Sequence, residues 1–351
     1  MNKHLLHMVR AAMLAGILSL NTGAVLAEEV VIGVLYPLSG PTAQVGIDSV
    51  AAVKTAAEIV NEDLKLKFDL GPGKGFPGLK GATVRIVVVD HQGKPEIGQS
   101  EAERLITQEK VHALFGAYFS SVTGTASQVA ERYQIPFVNG ESTSPTLTTR
   151  GFKWFFRTTP HDGDFTKLMF EFMTDFQKNS GKKLKSVAIL HEDTLWGSDS
   201  GSAQEKMTKE GGYSLAENIT YRAKTTSLTS EVQRLKAADP DVLLPSSYTS
   251  DAFLFLRTAK ELDYNPKLLI AQNAGYTDPT FLKEMGADAE GVITRSPFNQ
   301  DLAKTIPLIN VVNERFKNHS GGRDLSDVPV RAFTGFMTLM DAINRAGSTD
   351  A

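Results

Sequence analysis

Two spacings of apolar residues alternate along the chain. Compact runs of β-branched and aliphatic residues predict strands, and stretches with apolar positions three and four apart predict helices. The run Val30, Val31, Ile32, Gly33, Val34, Leu35 predicts a first strand over 30–35, and Ala51, Ala52, Ala56, Ile59 and Val60 form one apolar face of a helix over 43–61. Ile86, Val87, Val88 and Val89 stand in a row inside a second strand, 83–89. Unbroken aliphatics of this kind suit a strand covered on both faces. The alternation continues with helices at 96–109 and 122–133 and strands at 111–118 and 135–139. A Gly/Pro-rich stretch at 71–78 interrupts it and reads as a surface loop or hairpin.

A second series follows, with strands at 186–191, 241–245, 267–271 and 291–294, helices at 200–210 and 250–262, and a last helix at 330–346. Strands separated by helices of this length predict parallel sheets in an α/β architecture. Between the two series, the segment 154–160 (Trp154, Phe155, Phe156, Arg157, Thr158, Thr159, Pro160) reads as an extended crossing. A chain of 351 residues exceeds what one hydrophobic core organises, so two domains are expected. The two series also echo one another. Leu114 to Ser121 leads from a strand into a helix through a hydroxyl-rich turn, and Val242 to Thr249 does the same. In open α/β sheets the carboxyl edge of the strands is where ligands bind.

The amino terminus adds a targeting signal. Lys3 and Arg10 precede an apolar run at 11–20, and Val25 and Ala27 put small residues before Glu28. That order predicts a signal peptide over 1–27, cut after Ala27 and directing export to the periplasm. The apolar run is about half the roughly 20 residues that span a bilayer. With Lys3 and Arg10 removed from 37 Lys and Arg, 35 remain against 40 Asp and Glu, a formal charge of −5. A mildly acidic surface argues against nucleic acid or an anionic membrane as partner. There is no cysteine, hence neither disulfide staple nor thiolate.

Catalytic and cofactor motifs are missing from the sequence. No G-x-S-x-G elbow occurs, the glycines near 71–75 lack the Walker spacing, and the histidines show no paired metal-ligand spacing. His91 and His161 read as surface histidines, with polar hinge residues as the alternative. The expectation is a binding protein, not an enzyme, with no cofactor or metal. Candidate ligand contacts gather at predicted strand ends. Ser120 and Ser121 open a helix, where unpaired backbone N–H groups and the dipole favour an anion such as a carboxylate; plain N-capping is the competing reading. Glu141, Ser142 and Thr143 follow the next strand and bring hydroxyls to the same edge. Tyr118, Trp196 and Tyr248 can wall the apolar part of a ligand. Asp193 can pair with a ligand ammonium.

With these residues placed, the chain resembles the type I periplasmic binding proteins, specifically the leucine/isoleucine/valine-binding receptors of ABC transporters. The resemblance runs over about 30–347 and rests on 32–46 (Ile32, Gly33, Val34 … Gly46), the turn from Gly116 to Thr123, Ser144-Pro145 with Arg150-Gly151, and Phe156 to Thr159. It implies two Rossmann-like lobes joined by a three-segment hinge: 28–159 with 297–351 in the first lobe and 160–296 in the second. It also implies a final crossing and further second-lobe elements beyond the helix at 330–346, and the expectation is that these are missing from this chain. The resemblance places a ligand carboxylate at Ser120 and Thr143, an ammonium at the Glu141 carbonyl, and Tyr248 reaching in from the second lobe. Two positions depart from the pattern. Asn273 stands where the amino-acid-binding members carry an acid, and Val45 stands where they carry an aromatic. The expected function is a periplasmic receptor, a monomer, that delivers a small carboxylate-bearing metabolite to a membrane permease. A hydrophobic amino acid, an aromatic or other organic acid, and an amide all remain open. The rivals are a ligand-sensing regulator on the same fold, which an export signal disfavours, and an exported α/β hydrolase, which needs a nucleophile–base pair.

Overall fold

The computed structural model describes residues 29–66 and 74–350. The expected signal segment and part of the Gly/Pro-rich stretch lie outside the described residues. Where that stretch resumes, Pro77–Leu79 forms a short 3-10 turn and Phe76 pairs with Ala82 across it.

Among the described residues, ten strands fall into two parallel sheets of five. The first is built from β1 (Glu29–Tyr36), β2 (Thr83–Asp90), β3 (Ala113–Gly116), β4 (Phe137–Asn139) and β5 (Phe155–Arg157) in the order β2-β1-β3-β4-β5. The second holds β6 (Ser186–Glu192), β7 (Ser214–Tyr221), β8 (Val242–Ser246), β9 (Leu269–Ala271) and β10 (Val292–Thr294) in the order β10-β9-β8-β6-β7. Read from the β7 edge, the second order repeats the first. Each sheet therefore reverses winding beside its opening strand, between β1 and β3 and between β6 and β8. The echo between 114–121 and 242–249 has its explanation here, because β3 and β8 hold the same place in their sheets. Both hydroxyl-rich turns leave the switch point, where a crevice opens at the carboxyl ends of the strands.

Helices α1 (Ala43–Asn61), α2 (Pro95–Thr107) and α3 (Ser120–Tyr133) accompany the first sheet. The second sheet has α4 (Asp162–Ser180), α5 (Leu195–Glu210), α6 (Thr229–Ala238), α7 (Thr249–Glu261) and the short α8 (Phe281–Met285). The chain then returns, and α9 (Leu308–Ser320) and α10 (Asp327–Ala346) add Val312, Phe316, Val328, Ala332, Phe336 and Met340 to the first core. The second lobe keeps two cores, one on each face of its sheet. Among the described residues the chain passes between lobes twice, at 158–161 and just after β10.

Several elements differ from the sequence reading. The segment 154–160 is only half a crossing, since Phe155–Arg157 pairs with β4 as an edge strand. The strand expected over 111–118 ends at Gly116, because Gly116 (φ 134°) and Tyr118 (φ 70°) leave the extended region. A left-handed tyrosine is uncommon and costs backbone energy, which suits a residue held for its position. His91 is buried: its ring meets the Ala117 carbonyl at 2.9 Å and accepts the Gly93 N–H at 3.0 Å. Burial pulls its pKa down to about 4. His161 instead caps α4, accepting from the Asp164 N–H at 3.2 Å.

Gly46 shows how closely the first turn is packed. A Cβ at this position in α1 would lie 1.9 Å from the Pro37 carbonyl oxygen, so backbone and not a mobile side chain blocks it. Gly46→Ala should cost roughly 1–3 kcal/mol, the usual penalty of overpacking, read as a lowered urea midpoint. An unchanged midpoint would show that the loop after β1 yields freely.

Candidate functional site

The parallel sheets aim their carboxyl ends, and the amino termini of the helices that follow, at the space between the lobes. Phe119 is the N-cap of α3 and offers no side-chain cap; the first helical bond is Thr123 N–H to the Phe119 carbonyl at 2.9 Å. The N–H groups of Ser120, Ser121 and Val122 thus have no partner within the helix. The Ser120 hydroxyl lies 3.4 Å from the Ser144 N–H and accepts from it. Thr123 and Ser142 share a hydrogen bond of 2.7 Å, and Ser142 donates to the Tyr118 carbonyl at 2.9 Å. Those two hydroxyls hold the turns after β3 and β4 together.

A cavity of about 20 Å³ lies between the lobes, lined by Tyr118, Glu141, Thr143, Trp196, Tyr248, Asn273, Ala274, Arg295 and Arg331. That is room for about one water molecule. Six of its residues are ones the sequence singled out. Ser120 and Ser142 sit behind its wall, and Ser121 faces a second, outer chamber of about 350 Å³. Asp193 does not join either space. It is exposed on the loop after β6, where its carboxylate accepts the Ala223 N–H at 2.9 Å. Tyr276, also at a strand end, packs its ring on Phe281 in the second core.

The lobes meet through polar contacts around this cavity. The Trp196 indole N–H donates to the Thr143 hydroxyl at 3.1 Å, and Ser144 donates to Asp199. Asn273, in an unusual conformation with φ 83°, donates to Asp327 at 2.7 Å and to the Arg295 carbonyl at 3.2 Å. Its carbonyl oxygen accepts the Ala274 N–H. Every polar group of that amide is therefore engaged within the protein. Asn273 borders the cavity as a bracket between lobes.

Two arginines that the sequence reading passed over supply the charge. The Arg331 guanidinium donates to the Glu141 carbonyl at 2.8 Å and to Asp327 at 2.9 Å, leaving Nε without a partner. The Arg295 side chain is 8% exposed, lies 3.4 Å from Asp162, and stacks 3.5 Å from the centre of the Phe165 ring. Its Nε and Nη1 are buried without a partner. Burial pulls its pKa down to about 10, so it stays charged at neutral pH. The aspartates that balance these cations, Asp162 and Asp327, do not line the cavity. Glu141 is the one acid that does. Its carboxyl receives the Tyr36 hydroxyl, and its Oε2 has no partner. Burial pushes its pKa up to about 7, against the pull of Tyr36 and Arg331. The lining thus presents two cations and one acid that readily holds a proton. A signal for Arg295 existed: it stands directly after the strand at 291–294, on the edge whose serines drew notice. Arg331 was hidden in an otherwise apolar helix face, four residues after Asp327.

Comparison with known proteins places the chain. The family model described as periplasmic binding protein matches residues 29–351. A Leu/Ile/Val-binding protein homolog 7 of Brucella suis biovar 1 is 30% identical over 359 residues, covering 100% of this chain and 84% of the relative. Among solved structures, the leucine-binding protein LivK of Thermotoga maritima is similar at TM-score 0.78 and 22% identity, covering 92% of this chain and 84% of that one. A solute-binding protein of an ABC transporter from Rhodopseudomonas palustris BisB5, in complex with 3,4-dihydroxybenzoic acid, is similar at TM-score 0.73 and 20% identity, over 92% and 82% of the two chains. The matched family and this relative are binding proteins and not enzymes, in line with the absence of catalytic motifs.

The outer chamber carries a second raised acid. Burial, reinforced by the charges of Asp251 and Asp193, pushes Glu192 up to about 8. A carboxyl raised in this way keeps its proton in the folded chain where the unfolded chain has lost it. The stability it confers is complete below about pH 4 and is lost as pH rises through about 8. Glu192→Gln, which carries no proton to lose, should therefore flatten the decline in stability between pH 5 and 9, by an amount on the order of 1–3 kcal/mol. Urea unfolding at several pH values measures it; an unchanged slope would mean that Glu192 is ionised without cost.

Proposed function

The chain belongs to the type I periplasmic binding proteins, in the leucine/isoleucine/valine-binding group, and we propose that it is an exported receptor for a small organic acid that lacks an ammonium group. The acid would be enclosed between the lobes and handed to the membrane permease of an ABC transporter. One observation carries the choice of ligand: the interlobe cavity is lined by two guanidinium groups, Arg295 and Arg331, with N–H groups still unpartnered, against a single acid, Glu141, raised to about 7. Buried donors without acceptors are costly, and a carboxylate satisfies them through charge-assisted bonds. An ammonium placed there would face two cations, and the position where the amino-acid-binding members carry an acid holds Asn273, whose amide is already engaged. The unpartnered Oε2 of Glu141 can accept from a hydroxyl or amide N–H on such a ligand.

The relatives support both ligand classes on one fold. The Thermotoga maritima protein is named for leucine, whereas the Rhodopseudomonas palustris protein holds an acid with no amine. The lining residues support the acid without an amine. Ligand contacts to both lobes would stabilise the shut form, as in hinge closure generally.

A thermal-shift screen of organic acids against the mature chain tests this reading, since a ligand at about 100 times its Kd adds roughly 2.7 kcal/mol of apparent stability. With the best ligand in hand, Arg295→Gln should weaken binding about tenfold to a hundredfold, the 1.5–3 kcal/mol of a hydrogen bond to a charged group. Titration calorimetry reads the change. Equal affinity in Arg295→Gln and the natural chain would remove Arg295 from the site and the proposal with it.

A further inference from the structure

Tyr248 stands between the two interlobe spaces. It is the one residue shared by the linings of the inner cavity and the outer chamber. Its ring is enclosed by other aromatics, with ring centres at 4.4 Å to Phe119, 4.7 Å to Trp196 and 5.5 Å to Tyr118, all tilted. Phe119 and Tyr118 come from the first lobe and Trp196 from the second. These are the separations and angles at which aromatic rings attract one another beyond simple burial. The hydroxyl of Tyr248 lies near the start of α3, where the Ser120 backbone N–H has no helical partner. The phenol thus lies in an aromatic box with its oxygen at an anion-favouring helix start. The inner space beside it is only about 20 Å³, far too small for an organic acid.

We propose that Tyr248 is a stand-in for the ligand: in this shut form its ring fills a subsite for an aromatic ring, and an aromatic carboxylate takes that place by turning Tyr248 toward the outer chamber. This rests on the organic-acid reading above and narrows its class. Room for the displaced ring exists, since the outer chamber measures about 350 Å³ and Tyr248 already borders it. The backbone allows the turn. Tyr248 is the extended N-cap residue of α7, with φ −73° and ψ 173°, so its side chain is outside the helix and escapes the rotamer limits of a helical position. The aromatic box would then hold the ring of the acid.

A stand-in competes with the ligand, so weakening it has the opposite sign from weakening a ligand contact. Tyr248→Phe keeps the ring and removes its polar tip near the start of α3. It should tighten binding of benzoate about two- to tenfold, the worth of one weak polar contact. Cyclohexanecarboxylate, matched in size but without a π face, should bind the natural chain more weakly than benzoate. Trp196, in contact with Tyr248, makes tryptophan fluorescence a direct readout. Weaker benzoate binding in Tyr248→Phe would make Tyr248 an ordinary ligand contact and overturn the stand-in. Equal binding of the two acids to the natural chain, or binding of aliphatic acids such as 4-methylpentanoate without benzoate, would overturn the ring subsite while leaving the organic-acid reading intact. If no carboxylate binds either protein, both readings fall.

Discussion

Two buried guanidinium groups govern the junction between the lobes. Arg295 sits where the chain leaves the second sheet, and its partner Asp162 opens α4, where the chain enters that lobe. The pair therefore ties the two crossings together. Asp162 is held further by Ser200 at 2.7 Å and Gln272 at 3.0 Å. On the first-lobe side, Arg331 and Asp327 pair four residues apart on α10, and Asn273 reaches across from the second lobe to Asp327. Removing one partner from a buried pair costs roughly 3–5 kcal/mol, because the other charge is stranded. Such pairs stabilise less than their geometry suggests, and they specify more: the guanidinium planes are fixed, and both border one interlobe cavity.

That place is also where the topology converges. Each sheet reverses winding beside its opening strand, and each switch point delivers a hydroxyl-rich turn and a helix start to the crevice. The first lobe contributes the start of α3 with Tyr118, Phe119 and Ser120; the second contributes Trp196 on α5 and Tyr248 before α7. The sheets set the polarity of the crevice. The arginines set its charge, and the aromatic cluster sets its shape.

Much of this was legible in the residues. Unbroken aliphatics marked β2, and the repeated strand–turn–helix motif located both switch points. Tyr118, Glu141, Thr143, Trp196, Tyr248 and Asn273, chosen from the sequence, meet at one cavity. The rest was hidden for physical reasons. β7 is an edge strand with mixed burial, so its apolar alternation is weak. α4 opens on Asp162, Gly163 and Asp164, which look like loop, and only its capping box and the spacing of Phe165, Met169 and Met173 reveal it. Asp193 and Glu192 are neighbours in sequence, yet Glu192 is the buried last residue of β6 and Asp193 is exposed on the loop that follows. The arginines carry no motif that marks them in the sequence, yet a cation at a strand end or on an apolar helix face is costly enough to need a purpose.

The cleft is proposed to accept a carboxylate and to have no place for an ammonium beside it. Leucine and 4-methylpentanoate share a carbon skeleton and a carboxylate and differ in the α-amine alone, so titrating both into the protein by calorimetry isolates that group. Two guanidinium groups against a raised Glu141 predict that 4-methylpentanoate binds at least about tenfold tighter, a difference of roughly 1.4 kcal/mol. Tighter binding of leucine would contradict the account, and would mean that Glu141 gives up its proton to receive the amine.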